Sequence, residues 1–331
     1  MSKLKVVQMG LGPIGNKVTQ YLLERDSIEI VGAIDIDPGK EGQDVGVLAG
    51  LEPIGVKVTA NLSQVLGNGN VDVVVLTTTS SLSKTYEQLI TLIPYGVNVV
   101  TSCEELSYPW LTQPELAAHI DKLAKENNVA VLGTGVNPGF LMDFLPIAMT
   151  GICRSVRKVY VERIQDASFR RIPFQKKIGA GLTVDQFEQK VQEGTLRHVG
   201  LTESVHMIAK NRGWILDKTE DIITPILAEK QVTCENMSIE SGKVLGVQQI
   251  GRGFAGGEEV ITLVFRAAIG EADPRDRIMI EGVPAIDTCI KGGINGDVAT
   301  CAILVNAVQT VAKARAGLRT MADIEPIACF I

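Results

Sequence analysis

The sequence predicts an α/β protein: a doubly wound parallel sheet in its first part, then an α+β domain with a mainly antiparallel sheet. Three observations carry that expectation. Short Val- and Ile-rich runs alternate with amphipathic stretches as far as residue 139. A glycine-rich turn, Gly10-Leu11-Gly12-Pro13-Ile14-Gly15, follows the first run directly. After residue 139 the alternation stops, and longer segments of mixed polarity are joined by Gly- and Pro-containing turns. Strands covered on both faces read as continuous apolar runs, which is the mark of a buried parallel sheet.

The elements follow in order. Strands are predicted at 4–9, 29–35, 71–77, 97–101 and 129–133, and helices at 14–25, 61–67, 82–94 and 113–127. Residues 39–55 read as a loop with a short helix. Right-handed crossovers between such strands give a Rossmann-type doubly wound sheet. Further on, 156–165 reads as a strand, and 183–193 and 201–212 as helices. Residues 243–254 and 259–269 flank Ala255-Gly256-Gly257-Glu258, and 276–282 and 285–291 flank Val283-Pro284, so both pairs read as hairpins. Residues 298–314 are apolar with helical period. The expected domains are 1–139, with 298–331 packing back onto it, and 140–297 for substrate binding and oligomerisation.

Bulk properties narrow the class. A chain of 331 residues favours two domains, each with a core of its own. The net charge, 32 − 38 = −6, comes without a basic tract, so nucleic acid is not an expected partner. Six scattered cysteines without C-x-x-C point to reduced thiols and to no metal site. The N-terminus reads as a strand and no apolar run reaches membrane length, so a cytoplasmic protein without a membrane partner is expected.

The glycine turn carries chemistry because it is in register with its neighbours. Gly10 turns the chain off the strand, Gly12 lets backbone approach a pyrophosphate, and Gly15 lets the helix pack close to the sheet. The helix N-terminus then points its N–H groups at phosphate. Asp35, twenty residues past Gly15, is placed to accept from an adenosine ribose. Its charge opposes a 2′-phosphate and Asp37 adds to it, which favours NAD while leaving NADP possible.

Ligands of an open parallel sheet bind beyond the C-terminal strand ends. There the chain places Thr77, Thr78 and Thr79, then Ser102, Cys103, Glu104 and Glu105, then Asn137 and Phe140. The threonines and Ser102 suit cofactor contact, though small hydroxyls also cap helices. A carboxylate beside a nicotinamide can take a proton from an ammonium substrate or activate water. Glu104 is the favoured base, with Glu105 next; the bland alternative for either is a solvated acid at a helix start. Cys103 as a thioester-forming nucleophile is the weaker reading, since no histidine lies nearby and cysteines are often merely buried. Asn137 suits the nicotinamide carboxamide or the substrate, and Phe140 the substrate pocket wall. Arg163, Arg170 and Lys176 are candidate anchors for a substrate carboxylate, some of them to be only surface charges. His198 and His206 are lesser pocket candidates.

Together these residues carry a resemblance. Gly10-Leu11-Gly12-Pro13-Ile14-Gly15, Thr101-Ser102-Cys103-Glu104-Glu105, Gly133-Thr134-Gly135-Val136-Asn137-Pro138-Gly139-Phe140 and Gly296-Asp297-Val298-Ala299-Thr300 occur in that order. The chain resembles the dihydrodipicolinate-reductase-like superfamily, and within it the 2,4-diaminopentanoate dehydrogenases, relatives of native amine dehydrogenases. The reductases proper carry a His-His pair and a Lys before an Asp-x-Pro-Ser-Gly-Thr loop. This chain has Lys176-Lys177-Ile178-Gly179-Ala180-Gly181 in roughly that region and no His-His, which weighs against reduction of their cyclic substrate. The resemblance implies NAD(P)-dependent oxidative deamination of a small diamino acid at C4, releasing ammonia, within ornithine breakdown, by a homodimer. The competing readings are an imine reductase and a non-catalytic NAD-binding sensor.

Overall fold

A computed structural model of the chain describes residues 3–235 and 237–330. It contains two compact units, one built from 1–140 with 295–331 and the other from 141–294. The first unit runs β1 (Leu4–Met9), α1 (Pro13–Leu23), β2 (Ile28–Ile34), α2 (Val45–Leu48), β3 (Val58–Thr59), α3 (Leu62–Leu66), β4 (Val73–Leu76), α4 (Leu82–Leu92), β5 (Asn98–Thr101), α5 (Pro114–Glu126) and β6 (Ala130–Gly133). The second runs α6 (Phe144–Met149), β7 (Ser155–Asp166), α7 (Ile172–Lys177), α8 (Val184–Gln192), α9 (Leu201–Arg212), β8 (Lys218–Leu227), β9 (Val232–Cys234), β10 (Met237–Ile239), β11 (Val244–Ala255), β12 (Glu258–Ala268), β13 (Arg275–Val283) and β14 (Ile286–Lys291). The chain then returns to the first unit with α10 (Gly296–Val311) and β15 (Gly317–Arg319).

The first sheet is parallel throughout, in the order β15-β6-β5-β4-β1-β2-β3. Val7, Met9, Val74, Leu76, Val99 and Val131 face a core closed by Leu66, Leu89, Ile120 and Ala124 of α3, α4 and α5. The other face is covered by α1 and α10, which pack on each other. α10 is largely apolar and buries Leu304, Val305, Val308 and Val311. Its first turn is capped by Asn295, whose side chain accepts from the Asp297 and Val298 N–H groups. That cap starts the helix before residue 298, so the return to the first unit falls earlier than the sequence reading placed it. Strand order reverses between β1 and β4, and such a switch point opens a crevice at the strand ends.

The second unit holds a six-stranded sheet, β14-β13-β7-β12-β11-β8, antiparallel except for the β7–β12 pair. α9 packs on β11 and β12, and α6 packs on α9. Phe187, Ile178, Leu196, Val247 and Phe265 form a buried cluster around α8 and the neighbouring strands. The sequence reading did not foresee β3, α6, α7, β8, β9, β10 or β15, and for β8 and β15 the physical reason is plain. β8 carries Glu220, Asp221 and Pro225, a pattern that demotes a central strand, but β8 is an edge strand where charge and Pro belong. β15 is three residues long and gains its identity only by pairing with β6. Among the described residues no helix is long and apolar enough to cross a membrane.

Candidate active site

The ends of the parallel strands are stitched together by backbone bonds. Gly10 N–H donates to Ile34 O (2.8 Å), Thr77 N–H to Met9 O (2.8 Å), Ser102 N–H to Leu76 O (3.1 Å) and Thr134 N–H to Thr101 O (2.9 Å). This brings the glycine turn, Thr77–Thr79, Ser102–Glu105 and the loop from Thr134 onto one edge of the first unit.

The glycine turn is fixed from beneath. Gly10 has φ +89°, and Gly15 lies so close to Gly10 that an added Cβ would stand 1.8 Å from the Gly10 carbonyl oxygen. Around Gly12, by contrast, nothing comes within 4 Å of an added Cβ. Packing within the chain therefore demands Gly15, while the space above Gly12 is open for a bound group. Pro13 opens α1, and Gly12 stands at its N-cap without a side-chain cap, leaving the first-turn N–H groups to a ligand. Ile14 contributes its carbonyl to a contact with Cys301 Sγ (3.8 Å). These features fit a dinucleotide pyrophosphate.

Gln8 is the residue that sequence reasoning missed here. It is fully buried, and its Nε2 donates to Gly10 O (3.0 Å) and Thr77 Oγ1 (2.8 Å). Thr77 Oγ1 in turn donates to Gly10 O (2.8 Å). The Thr77 hydroxyl thus holds the glycine turn in place. Thr78 Oγ1 donates to Gln88 (2.7 Å), and Thr79 Oγ1 accepts from the Ser81 N–H (3.3 Å). All three threonine hydroxyls act within the unit's own framework. The signal for Gln8 was its place as a polar residue in the buried half of an otherwise apolar strand.

At the end of β2, Asp35 accepts from the Leu11 N–H (2.7 Å), the Asp37 N–H (2.9 Å) and Lys40 Nζ (2.9 Å). Burial pushes its carboxyl up, but those donors outweigh burial and hold it below its ordinary value. Leu11 itself packs on Ala33, Val45 and Val58. Ile36, next to Asp35, is 86% exposed.

The two acids after β5 part company. Residues 104–106 form a 3₁₀ turn seated on Gly133 at the end of β6, where an added Cβ would meet the Leu106 carbonyl carbon at 2.7 Å. Glu105 reaches back to α4, whose own Ser81 makes no side-chain capping bond, and accepts from the Leu82 N–H (2.7 Å) and Gln113 Nε2 (3.1 Å). It thereby caps α4. Glu104 is half-buried, and its Oε2 is buried with no hydrogen-bond partner among the described residues. Native structures leave few such groups, and catalytic duty is one standing reason. Cys103 is fully buried, its thiol donates to Ser80 O (3.3 Å), and burial pushes it up to about 11. A thiol so placed is not a nucleophile at neutral pH.

On the neighbouring loop, Asn137 is 7% exposed and precedes Pro138 in a cis peptide. The loop is tied to α10 by a bond from the Val136 N–H to Thr300 Oγ1 (3.2 Å). Thr134 Oγ1 is buried without a hydrogen-bond partner among the described residues. Phe140 is half-buried and is the last residue of this stretch of the unit.

The candidate anchors belong to the second unit and differ among themselves. Arg163 is 2% exposed, donates to Asp276 Oδ1 (2.7 Å) and Ile294 O (2.8 Å), and faces its own sheet. Its charge is paired inside the unit with Asp276. Arg170 is half-buried, donates to Gln165 Oε1 (3.1 Å) and lies 4.1 Å over the Phe174 ring. Lys176 is exposed on α7. His198 packs on Phe265, its ring 4.2 Å away, and His206 meets Thr219 Oγ1 (3.1 Å).

Comparison with known proteins bears on family and fold. Residues 140–331 match the 2,4-diaminopentanoate dehydrogenase C-terminal domain family, and residues 4–107 match the dihydrodipicolinate reductase N-terminal family. A curated 2,4-diaminopentanoate dehydrogenase from Acetoanaerobium sticklandii is 34% identical over 98% of this chain and 94% of its own length. A 4-hydroxy-tetrahydrodipicolinate reductase from Synechocystis is 31% identical over 31% of this chain and 38% of its own. The solved amine dehydrogenase from Mycobacterium smegmatis superposes with a TM-score of 0.86 at 25% identity, covering 99% of this chain and 98% of that one. A dihydrodipicolinate reductase from Paenisporosarcina sp. TG-14, covered in full by 98% of this chain at 14% identity and a TM-score of 0.54, shares the fold. The nucleotide-binding half is thus common to both groups, whereas the second unit and the full-length match single out one, and the chain belongs to the 2,4-diaminopentanoate dehydrogenase family.

Proposed function

We propose that the chain catalyses NAD(P)-dependent oxidative deamination of 2,4-diaminopentanoate at C4, giving 2-amino-4-oxopentanoate and ammonia, and in reverse the reductive amination of a ketone. The observation that carries the reading is the buried, unpartnered Oε2 of Glu104 on the strand edge that the glycine turn also occupies. Gly10–Gly15 and the α1 N-terminus would hold the pyrophosphate, Asp35 the adenosine ribose, and Ile36 one face of the adenine. When bound, the nicotinamide supplies the hydride acceptor.

The protein's own part is proton handling. The substrate arrives as an ammonium, and hydride can leave its carbon only once the amine is neutral. Glu104 takes that proton at Oε2. Glu104 releases that proton to solvent, and as water adds to the substrate iminium carbon the regenerated carboxylate accepts a proton from it; it then returns the proton to the carbinolamine nitrogen, so that ammonia leaves as the carbonyl forms. Ser107 Oγ donates to the Glu104 carbonyl (2.8 Å), and this fixes the turn that presents the acid. Asn137 is assigned to the nicotinamide carboxamide or the substrate, and Phe140 to the substrate's apolar side. The second unit offers Arg170 and Lys176 for the substrate carboxylate. A homodimer is assigned to the face of its sheet that carries Val264, Ile250 and the exposed Ile222, which lie side by side across β12, β11 and β8. A cytoplasmic place in ornithine breakdown accords with this substrate.

The test is formation of reduced cofactor from 2,4-diaminopentanoate. Turnover by the native chain is expected, with a loss of about 10²–10⁴ in kcat for Glu104→Gln. Failure to turn over any amine sinks the proposal, and activity toward a cyclic imine alone would favour the reductase reading.

A further inference from the structure

Glu104 Oε2 shares its condition with a neighbour. The hydroxyl of Thr134 is likewise buried without a hydrogen-bond partner among the described residues, and Thr134 is only 3% exposed. The two stand at the ends of adjacent strands. β5 and β6 pair with Thr101 beside Gly133, and the Thr134 N–H donates to Thr101 O (2.9 Å). The turn that carries Glu104 rests on Gly133, the residue before Thr134.

Other hydroxyls of this edge have duties within the framework. Thr101 Oγ1 accepts from the Cys103 N–H (3.2 Å), Ser107 Oγ donates to Glu104 O (2.8 Å), and Thr300 Oγ1 accepts from the Val136 N–H (3.2 Å). Thr134 could donate once and accept twice, and burying that capacity unused is costly. The loop above keeps room over it. Gly139 has φ +123°, and an added Cβ would stand 2.8 Å from Thr134 Oγ1 and 2.5 Å from the Gly135 nitrogen. Buried polar groups of this kind are commonly satisfied by an ordered water, which makes about three hydrogen bonds.

We propose that Thr134 and Glu104 hold one water between them, and that this is the water that hydrolyses the substrate iminium. The water donates one O–H to Glu104 Oε2, and the Thr134 O–H donates to one lone pair of the water. Its other lone pair is left for the iminium carbon. As the C–O bond forms, the C=N π pair moves to nitrogen and the donated proton passes to Glu104, giving a neutral carbinolamine. Thr134 transfers no proton and acts as a positioning residue. The inference rests on the reaction proposed above and specifies its hydrolytic half.

Rapid mixing of the cofactor-loaded full chain with 2,4-diaminopentanoate tests it, because reduced cofactor forms before water adds. The first-turnover rate of reduced-cofactor formation reports the steps before hydrolysis, and kcat reports the whole cycle. Thr134→Val removes the hydroxyl at nearly constant volume. It should lower kcat by about tenfold, the worth of one hydrogen bond, while the first-turnover rate and the NADH affinity hold. Thr134→Ser should restore kcat. Thr134→Ala should show the same split, and takes the place of Thr134→Val should that variant not fold. Glu104→Gln should instead lose both phases, since the amine then stays protonated. If the first-turnover rate or the NADH affinity of Thr134→Val falls as far as kcat, or if kcat holds, the proposal is overturned. If the native chain forms no reduced cofactor from any amine, the reaction itself falls and this inference with it, a result distinct from a fault in Thr134.

Discussion

At Glu105 the Leu82 N–H and the Gln113 amide point into one carboxylate oxygen, whereas Glu104 keeps a buried oxygen with no such donor. The two acids therefore separate under mutation. Glu104→Gln keeps the volume and removes the base, so kcat falls while the melting transition holds or rises, because a buried charge without a partner is costly. Glu105→Ala frees a helix N-terminal donor at a cost of about 1 kcal/mol, so the transition falls while kcat changes far less. Paired measurements of kcat and thermal unfolding on both variants decide it. The reverse pattern would transfer the catalytic role to Glu105. The sequence showed the pair but not the division, because which acid turns back to cap α4 depends on the 3₁₀ turn and on Gly133 beneath it.

The turn into α1 makes the same point for an element. Gly15 answers to packing and Gly12 to a ligand, since an added Cβ meets the Gly10 carbonyl in one case and open space in the other. Gly15→Ala should lower the unfolding transition of the cofactor-free chain, a steric cost of the kind that overpacking brings, about 1–3 kcal/mol. Gly12→Ala should leave that transition in place and weaken NADH binding. Calorimetry of the unliganded variants, set beside their NADH affinities, checks both; equal destabilisation by the two would show that Gly12 also serves the fold. Elements of this kind were legible because each local pattern had one meaning. β4 is an apolar run with no face to spare for water, β1 is apolar around Val6, Val7 and Met9, and the hairpin of β11 and β12 turns at Gly256-Gly257. β8 was not legible, since its Glu220, Asp221 and Pro225 suit a loop as well as a sheet edge. Gln8 and Lys40 escaped for another reason. Their partners are 69 and 5 residues away, and only the folded geometry selects them.

At the scale of the molecule the two units answer acid differently. In the second unit burial, aided by the Lys177 and Arg163 charges, pushes His198 down to about 3, and burial also lowers His206. Between an unfolded value of 6.5 and that folded value, the unfolded chain holds a proton that folded His198 refuses. More protons on the unfolded state mean that stability rises with pH across this window, and so is lost as pH falls through it. Asp221, raised by burial, acts in the opposite sense by keeping a proton when folded. In the first unit the burial of Asp35 and Asp44 is outweighed by their N–H donors, so both carboxyls lie below 3.8. Their contribution is present above 3.8 and is lost only as pH falls further, through the folded values. The second unit should therefore soften first on acidification. Hydrogen exchange at stepped pH should show β11 and β12 losing protection before β1 and β4. His198→Gln should flatten the fall in stability between about pH 6.5 and pH 4, measured by urea unfolding. Parallel profiles for the native chain and His198→Gln, or first loss of protection in β1 and β4, would place the acid-sensitive group elsewhere.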